Sequence, residues 1–279
     1  MITLDELALE VQELAPLPAA ASKLAQLAAD PDANVDAVVT TIRFDQALTA
    51  AVLRYANSPL SGCHYEIRSV KDAVVRLGFA KVLEIAVSAH VRKPMRRALP
   101  EYGLGEEELW THAAAAALAA EQILHRDDQH APPLSFTASL LHDIGKLILA
   151  RHLKSEIQAA IYRLTSDYSM TYYQAEKDVL GFTHAEIGAR VVERWGLGEE
   201  IVTAVARHHE LDRDLGPVTD VVRVSNIVAK TVGTGLGFEG MNLQADAAAC
   251  ERLAIDRDEF ERLSADVASR LKEVKKLHS

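Results

Sequence analysis

Apolar residues spaced three and four apart, within windows rich in Ala and Leu, run through nearly all of this sequence, while alternating Val/Ile/Thr stretches bracketed by turn pairs are scarce. A chain patterned this way can bury one stripe of each helix but has little to build a sheet from, so the expected fold class is all-α. Its 279 residues suffice for one or two domains with a real core. Apolar residues at 49% and charged residues at 25% are ordinary globular values, which excludes a disordered or low-complexity scaffold.

Charge and cysteine content narrow the class further. The 30 Lys and Arg against 40 Asp and Glu leave a formal charge of -10, which disfavours a general nucleic-acid-binding face. The local cluster Arg92, Lys93, Arg96 and Arg97 reads as a solvated connector. Cys63 and Cys250 are the only cysteines and show no Cys-x-x-Cys spacing, so neither a zinc ribbon nor a disulfide framework is indicated. The N-terminus carries Asp5 and Glu6 rather than a basic region before an apolar run, and no segment approaches the ~18 uncharged apolar residues of a membrane span. The expectation is a cytoplasmic protein with free, buried thiols.

Helix signals divide the chain. Thr3 with Glu6 forms a capping-box pattern ahead of Leu7, Val11 and Leu14, and a second helix runs through Leu24 and Leu27 to the turn Asp30-Pro31-Asp32. Two short helices are predicted between Val35 and Ala56, with Asp45 capping the one that bears Leu48, Val52, Leu53 and Ala56. Ser69 caps another, which Gly78 ends. Four basic residues with Pro94, Pro100, Gly103 and Gly105 make residues 92–105 the best internal boundary. Helices follow over 106–128 and through the proline-free stretch 134–216, with breaks near Ser166, Gly181 and Gly196-Leu197-Gly198. Glycines at 233, 235, 237 and 240 mark a loop. Asp256 with Glu259 then opens a last helix striped by Phe260, Leu263, Val267, Leu271 and Val274, read as docking on this chain's own core. The expected organisation is an N-terminal helical subdomain (1–95), a second helical subdomain (106–232) and a C-terminal helical extension (241–279).

Unusual polar residues fall in otherwise apolar helical contexts at Trp110-Thr111-His112, Leu141-His142-Asp143-Ile144-Gly145-Lys146, Thr183-His184, Arg207-His208-His209-Glu210 and Val224-Ser225-Asn226. One such His is usually a satisfied core or cap residue, but their recurrence points to a shared site. Imidazole with carboxylate suits iron, manganese or zinc, and adjacent His142 and Asp143 present both ligand types at a helix start or bend. A carboxylate bridging two ions could generate a hydroxide nucleophile and stabilise a transferring phosphoryl group, with Lys146 paired to a phosphate oxygen or a ligand carboxylate. His64, His90, His125, His130, His152 and His278 match no motif and are read as surface or packing residues; Trp110 and Trp195 are read as core.

His112, His142-Asp143 with Gly145-Lys146, His184 and His208-His209 resemble, in order, the motifs of the HD phosphohydrolase superfamily. That resemblance implies metal ligands at His112, His142, Asp143, His184, His208 and His209. It also places the family's last metal-binding Asp where this chain has Asn226. The first half is similar to one branch, the HDOD domain, at Leu14-Ala15-Pro16-Leu17-Pro18, Asp30-Pro31-Asp32-Ala33, Asp45-Gln46-Ala47-Leu48-Thr49, Arg54-Tyr55-Ala56-Asn57-Ser58 and Ile67 to Gly78, and the likeness spans roughly residues 11 to 210. The resemblance implies a multi-helix HDOD fold with an HD-like core and a bacterial signalling output role exercised through an unidentified protein partner. Catalysis would then be absent or weakened. After His209 the chain reads Glu210-Leu211-Asp212-Arg213-Asp214-Leu215-Gly216-Pro217 rather than the Gly-Tyr-Pro signature of cyclic-di-GMP hydrolases, so that assignment has no support. The alternative is a metal-dependent phosphohydrolase acting on a nucleotide or cyclic dinucleotide, with Asp143 and Lys146 as its catalytic pair. Asn57 and Ser58 are read as a structural helix end. Oligomerisation is left open.

Overall fold

The computed structural model describes residues 17–278 except 31, 63–64, 127–131, 133, 166–169, 212 and 240–245. The predicted Thr3–Glu6 helix start, Cys63, His64 and His130 lie outside the described residues. Among those described the fold is all-α, with no β-strand. The chain divides into two compact units, one built mainly from residues before 94 and the other from most of the remainder.

The first unit contains α1 (Ala19–Ala29), α2 (Val35–Arg43), α3 (Gln46–Ala56) and most of α4 (Val70–Met95). Local capping starts these helices. Asn34 Oδ1 accepts from Ala37 N at 2.9 Å, Asp45 Oδ1 from Leu48 N at 2.9 Å, and Ser69 Oγ from Asp72 N at 3.0 Å. Val38 and Ile42 of α2 are buried at i, i+4 spacing, and of the apolar residues the sequence named for α3, Leu48, Val52 and Ala56 are buried and Leu53 half-buried. Gly78, with φ 79° and ψ 165°, breaks α4 into two straight pieces, which accounts for the predicted stop. Asn57 closes the end of α3: its Nδ2 donates to Leu53 O (2.9 Å) and Ile67 O (2.8 Å), while Oδ1 accepts from Ile67 N at 2.8 Å. Replacing Asn57 by Ala strands both backbone groups of buried Ile67 and is expected to cost about 1–3 kcal/mol, measured as a lower denaturant midpoint.

The second unit is organised around two helices. In α5 (Glu108–Arg126) the alanines of 113–120 are all buried, and their small side chains let α6 (Ser135–Leu141), α12 (Pro217–Thr231) and α14 (Arg257–His278) approach closely. Every residue of α12 from Val218 to Lys230 is buried, its polar ones included. Arg223 is paired there with Asp220 and Asp246, and Arg252 of α13 (Ala247–Arg252) forks onto Asp220 at 2.6 and 2.7 Å. Leu263, Val267 and Leu271 of α14 are buried and Phe260 half-buried, so the last helix docks on this unit, with Arg270 bonded to Glu121.

Between α5 and α12 lie α7 (Lys146–Leu149), α8 (Ser155–Thr165), α9 (Tyr172–Leu180), α10 (His184–Arg194) and α11 (Glu199–Arg207). Tight turns over 142–145 separate α6 from α7, which is the helix start or bend expected at His142 and Asp143. Their cause is tertiary. Gly145 N sits 3.2 Å from where a Cβ on Gly188 of α10 would be, so two bare backbones meet, and the turn is held against the helix that carries His184. Trp110 and Trp195 are buried as expected, and His90 packs edge-on against Trp195.

Candidate metal centre

Five separate segments of the second unit deliver the centre. His112 comes from the start of α5, His142 and Asp143 from the turn after α6, Lys146 from the first residue of α7, His184 from the first residue of α10, and His208 and His209 from just beyond α11. His184 is set by a reciprocal cap in which Thr183 N donates to Glu186 Oε2 (2.9 Å) and Glu186 N to Thr183 Oγ1 (3.2 Å). All of these side chains are buried except His209, which is partly exposed.

Asp143 stands at the middle. Its Oδ2 faces His142 Nε2 at 3.4 Å and His112 Nε2 at 3.6 Å, and its Oδ1 faces His184 Nε2 at 3.3 Å and His208 Nε2 at 3.9 Å. Two ligand groups therefore share this one carboxylate: His112, His142 and Asp143, and Asp143, His184, His208 and His209. Every sequence-predicted ligand falls in one or the other. Asn226 lines the adjoining cleft of about 290 Å³ together with Tyr173, His208, His209, Arg223 and Lys230.

Hydrogen bonding orients the rings. Nδ1 of His142 meets Ser139 O at 2.7 Å, Nδ1 of His208 meets Val205 O at 2.8 Å, and Nδ1 of His112 meets Thr234 O at 3.2 Å. A carbonyl only accepts, so each Nδ1 carries the proton and each ring, in its neutral form, turns an Nε2 lone pair inward. His112 and His142 bring these nitrogens to 3.2 Å from one another, as do His184 and His209. His208 Nε2 and Asn226 Oδ1 are buried with no hydrogen-bond partner among the described residues. Lone pairs converging on one carboxylate repel unless a cation lies among them, so this donor set fits a divalent metal ion.

Electrostatics agree. Burial, reinforced by His142, lowers the His112 imidazole to about 3, and burial with neighbouring imidazoles holds His208 and His209 well below the usual value. These rings are neutral near pH 7, as ligands must be. Burial alone would raise the Asp143 carboxyl, but the Lys146 ammonium at 2.9 Å leads the groups that outweigh it and hold the carboxyl well below the normal carboxylate range. His184 departs from this pattern: burial would lower it, yet Glu176 and Asp143 on its two nitrogens lift it to about 9, so without a metal the ring is protonated near pH 7 and must give up its Nε2 proton to ligate an ion.

Glu176 of α9 was not singled out by sequence. Its Oε2 accepts from His184 Nδ1 at 2.7 Å and from His184 N at 2.8 Å, and its Oε1 accepts from Tyr102 OH at 2.8 Å. A carboxylate behind a ligating imidazole fixes ring orientation and raises its basicity. Glu176→Ala is expected to weaken metal retention 10–100-fold in competition with a chelator, with a smaller loss for Glu176→Gln, whose amide oxygen still accepts. Lys230 and Glu239 were also missed. A signal existed for Lys230: Asp220, Arg223 and Lys230 are the only charged residues of a helix otherwise rich in Val, and they fall at helical spacing. For Glu176 and Glu239 no comparable signal exists.

An all-α domain with a His/Asp cluster shared between helices is of the HD-related kind. The family model for the HDOD domain matches residues 14–211, and the chain belongs to that family. Among solved structures it is similar to an HDOD domain protein of unknown function from Geobacter sulfurreducens (25% identical, 97% of this chain and 95% of that one, TM-score 0.70). It is also similar to a proposed signal transduction protein from Marinobacter aquaeolei VT8 (24% identical, 99% and 61%, TM-score 0.75). A third likeness is to a proposed phosphohydrolase from Shewanella amazonensis SB2B (22% identical, 94% and 98%, TM-score 0.62). A curated, uncharacterised protein of Treponema pallidum (strain Nichols) is 21% identical over 224 residues, covering 79% of this chain, and the chain spans 43% of that relative's length. No helix among the described residues is long and apolar enough to cross a membrane.

Proposed function

We propose that this HDOD chain is a signal-transduction output module that acts through a protein partner, with a metal-holding HD-type centre whose hydrolytic activity is weak or absent. His112, His142 and Asp143 hold one ion, and Asp143, His184, His208 and His209 a second; iron, manganese or zinc suits these donors. Such ions supply Lewis acidity and activated water, while Lys146 anchors the Asp143 carboxylate. The observation that carries weakened catalysis is Asn226. It lines the cleft with a neutral amide, its buried Oδ1 unpartnered, where the family resemblance puts a ligating carboxylate. The second reading, a metal-dependent phosphohydrolase of nucleotides or cyclic dinucleotides, is favoured by the otherwise complete ligand set.

Turnover separates the two. The iron-, manganese- and zinc-loaded chain is assayed on phosphodiester and nucleotide substrates beside Asp143→Ala. The expected result is no hydrolysis above that variant. Sustained multiple turnover in the loaded wild type, above a trace activity, that Asp143→Ala abolishes overturns the module reading in favour of the enzyme.

A further inference from the structure

Glu239 belongs to neither ligand group, yet its side chain is about nine-tenths buried beside them. Lys146 Nζ and Lys230 Nζ both bond its carboxylate, Lys230 at 2.9 Å. Each of the three side chains is less than a tenth exposed. Lys146 also meets Asp143, whereas Glu239 is the acid shown against Lys230. Arg223, the other cation of the cleft, is already occupied by Asp220, Asp246 and the carbonyls of Glu210 and Arg213. The demand for an anion is thus concentrated at Lys146 and Lys230. Two buried ammonium groups balance Asp143 and Glu239; without Glu239 one positive charge is left unpaired on largely buried side chains, which is costly unless another anion enters.

The carboxylate that fills this place comes from a loop moulded onto the centre. Glu239 ends the turn Gly237–Glu239 in the connection after α12. Thr234 fastens the loop's start, its Oγ1 donating to Ala229 O at 2.7 Å and its carbonyl accepting from His112. Gly235 lies so close to His112 that a Cβ there would be 2.6 Å from its side chain, and one on Gly237 would be 2.2 Å from Tyr102 O. Phe238, one residue before the buried acid, is 55% exposed. Beyond the Thr234 anchor, Gly235 packs on His112, Gly237 on Tyr102 and Leu104 and Phe238 beside Gly103, while the Glu239 carboxylate makes the loop's ion pairs with Lys146 and Lys230.

We propose that Lys146 and Lys230 form an oxyanion subsite for a phosphate group, and that Glu239 is its built-in occupant, displaced when phosphate binds. Glu239 itself lines the cleft, so its withdrawal opens both ammonium groups to that space. A phosphate offers several acceptor oxygens and close to two negative charges, enough to bond both lysines and replace the lost carboxylate. Cations loaded into the histidine cluster add positive charge next door and favour the exchange. The subsite goes beyond the signalling reading, because it requires neither metal retention nor hydrolysis and stands or falls separately from both.

Calorimetric titration of inorganic phosphate into the full chain, at matched ionic strength with chloride as control, tests it. Glu239→Gln is expected to bind phosphate about tenfold tighter than wild type or better, the factor for a subsite closed nine-tenths of the time. Adding Lys230→Met to that variant is expected to erase the gain. Equal binding by wild type and Glu239→Gln, or a gain that survives Lys230→Met, overturns the subsite. Should Glu239→Gln fail to fold by circular dichroism, hydrogen exchange on the wild type decides: saturating phosphate is expected to speed amide exchange over 232–239, and unchanged exchange there overturns the proposal.

Discussion

Asp143→Ala is expected to strip the protein of bound metal. Asp143 is the one carboxylate in both candidate ligand groups, with Oδ1 toward His184 and His208 and Oδ2 toward His112 and His142, so its loss empties both of anionic charge and leaves imidazoles alone. A lost ligand costs more than the 10–100-fold assigned to a group behind one. Elemental analysis of chain purified without chelator is expected to give near-stoichiometric iron, manganese or zinc for wild type and background for the variant. The variant also removes one of the two acids on buried Lys146. Breaking a buried pair costs about 3–5 kcal/mol, here reduced because Glu239 stays on the lysine, and circular dichroism must show that the fold survives. The double variant His142→Ala/Asp143→Ala should read the same. Equal metal in wild type and variant, with both folded, would mean that the ion sits elsewhere.

The sequence discloses this centre unevenly, for physical reasons. Caps are local, so Asp45 and Ser69 can be named from their neighbours alone, and the stripe Leu263, Val267 and Leu271 is visible because helical periodicity is local as well. The histidines stand out because imidazoles are unusual in apolar helices. Which of them share an oxygen of Asp143 is tertiary information that their order along the chain does not contain. Glu176 and Glu239 look like surface acids: charged residues are common in helices and loops, and only burial against His184 or between two lysines makes these two distinctive. Asn226 was visible as a departure from the family pattern, but its unpartnered oxygen was not. The sequence places His142 and Asp143 at a helix start or bend, but what holds the bend over 142–145, contact between Gly145 and a helix about forty residues further on, is beyond any window of local propensity.

Gly145→Ala is expected to disable the centre without touching a ligand. A Cβ on Gly145 would lie 1.9 Å from His184 O and 2.5 Å from Gly188 N, both backbone atoms of α10 that cannot rotate aside. Either the turn or the helix must move, and the movement separates Asp143 from His184, now 3.3 Å apart. Overpacking a well-filled interior usually costs about 1–3 kcal/mol, and a clash with two main-chain groups of one helix belongs at or above the top of that range. For a chain of this size about 3 kcal/mol corresponds to a fall in Tm of roughly 6 °C or more. Metal content should fall with it, since the two ligand groups are joined through Asp143. Gly198→Ala is the matched control: a Cβ there meets nothing within 4 Å, so both Tm and metal content are expected to stay at wild-type values. A Gly145→Ala protein that melts with the wild type and keeps its metal would show that α10 and the turn can part without loss, and that the bare contact between Gly145 and Gly188 is not what sets His184 over Asp143.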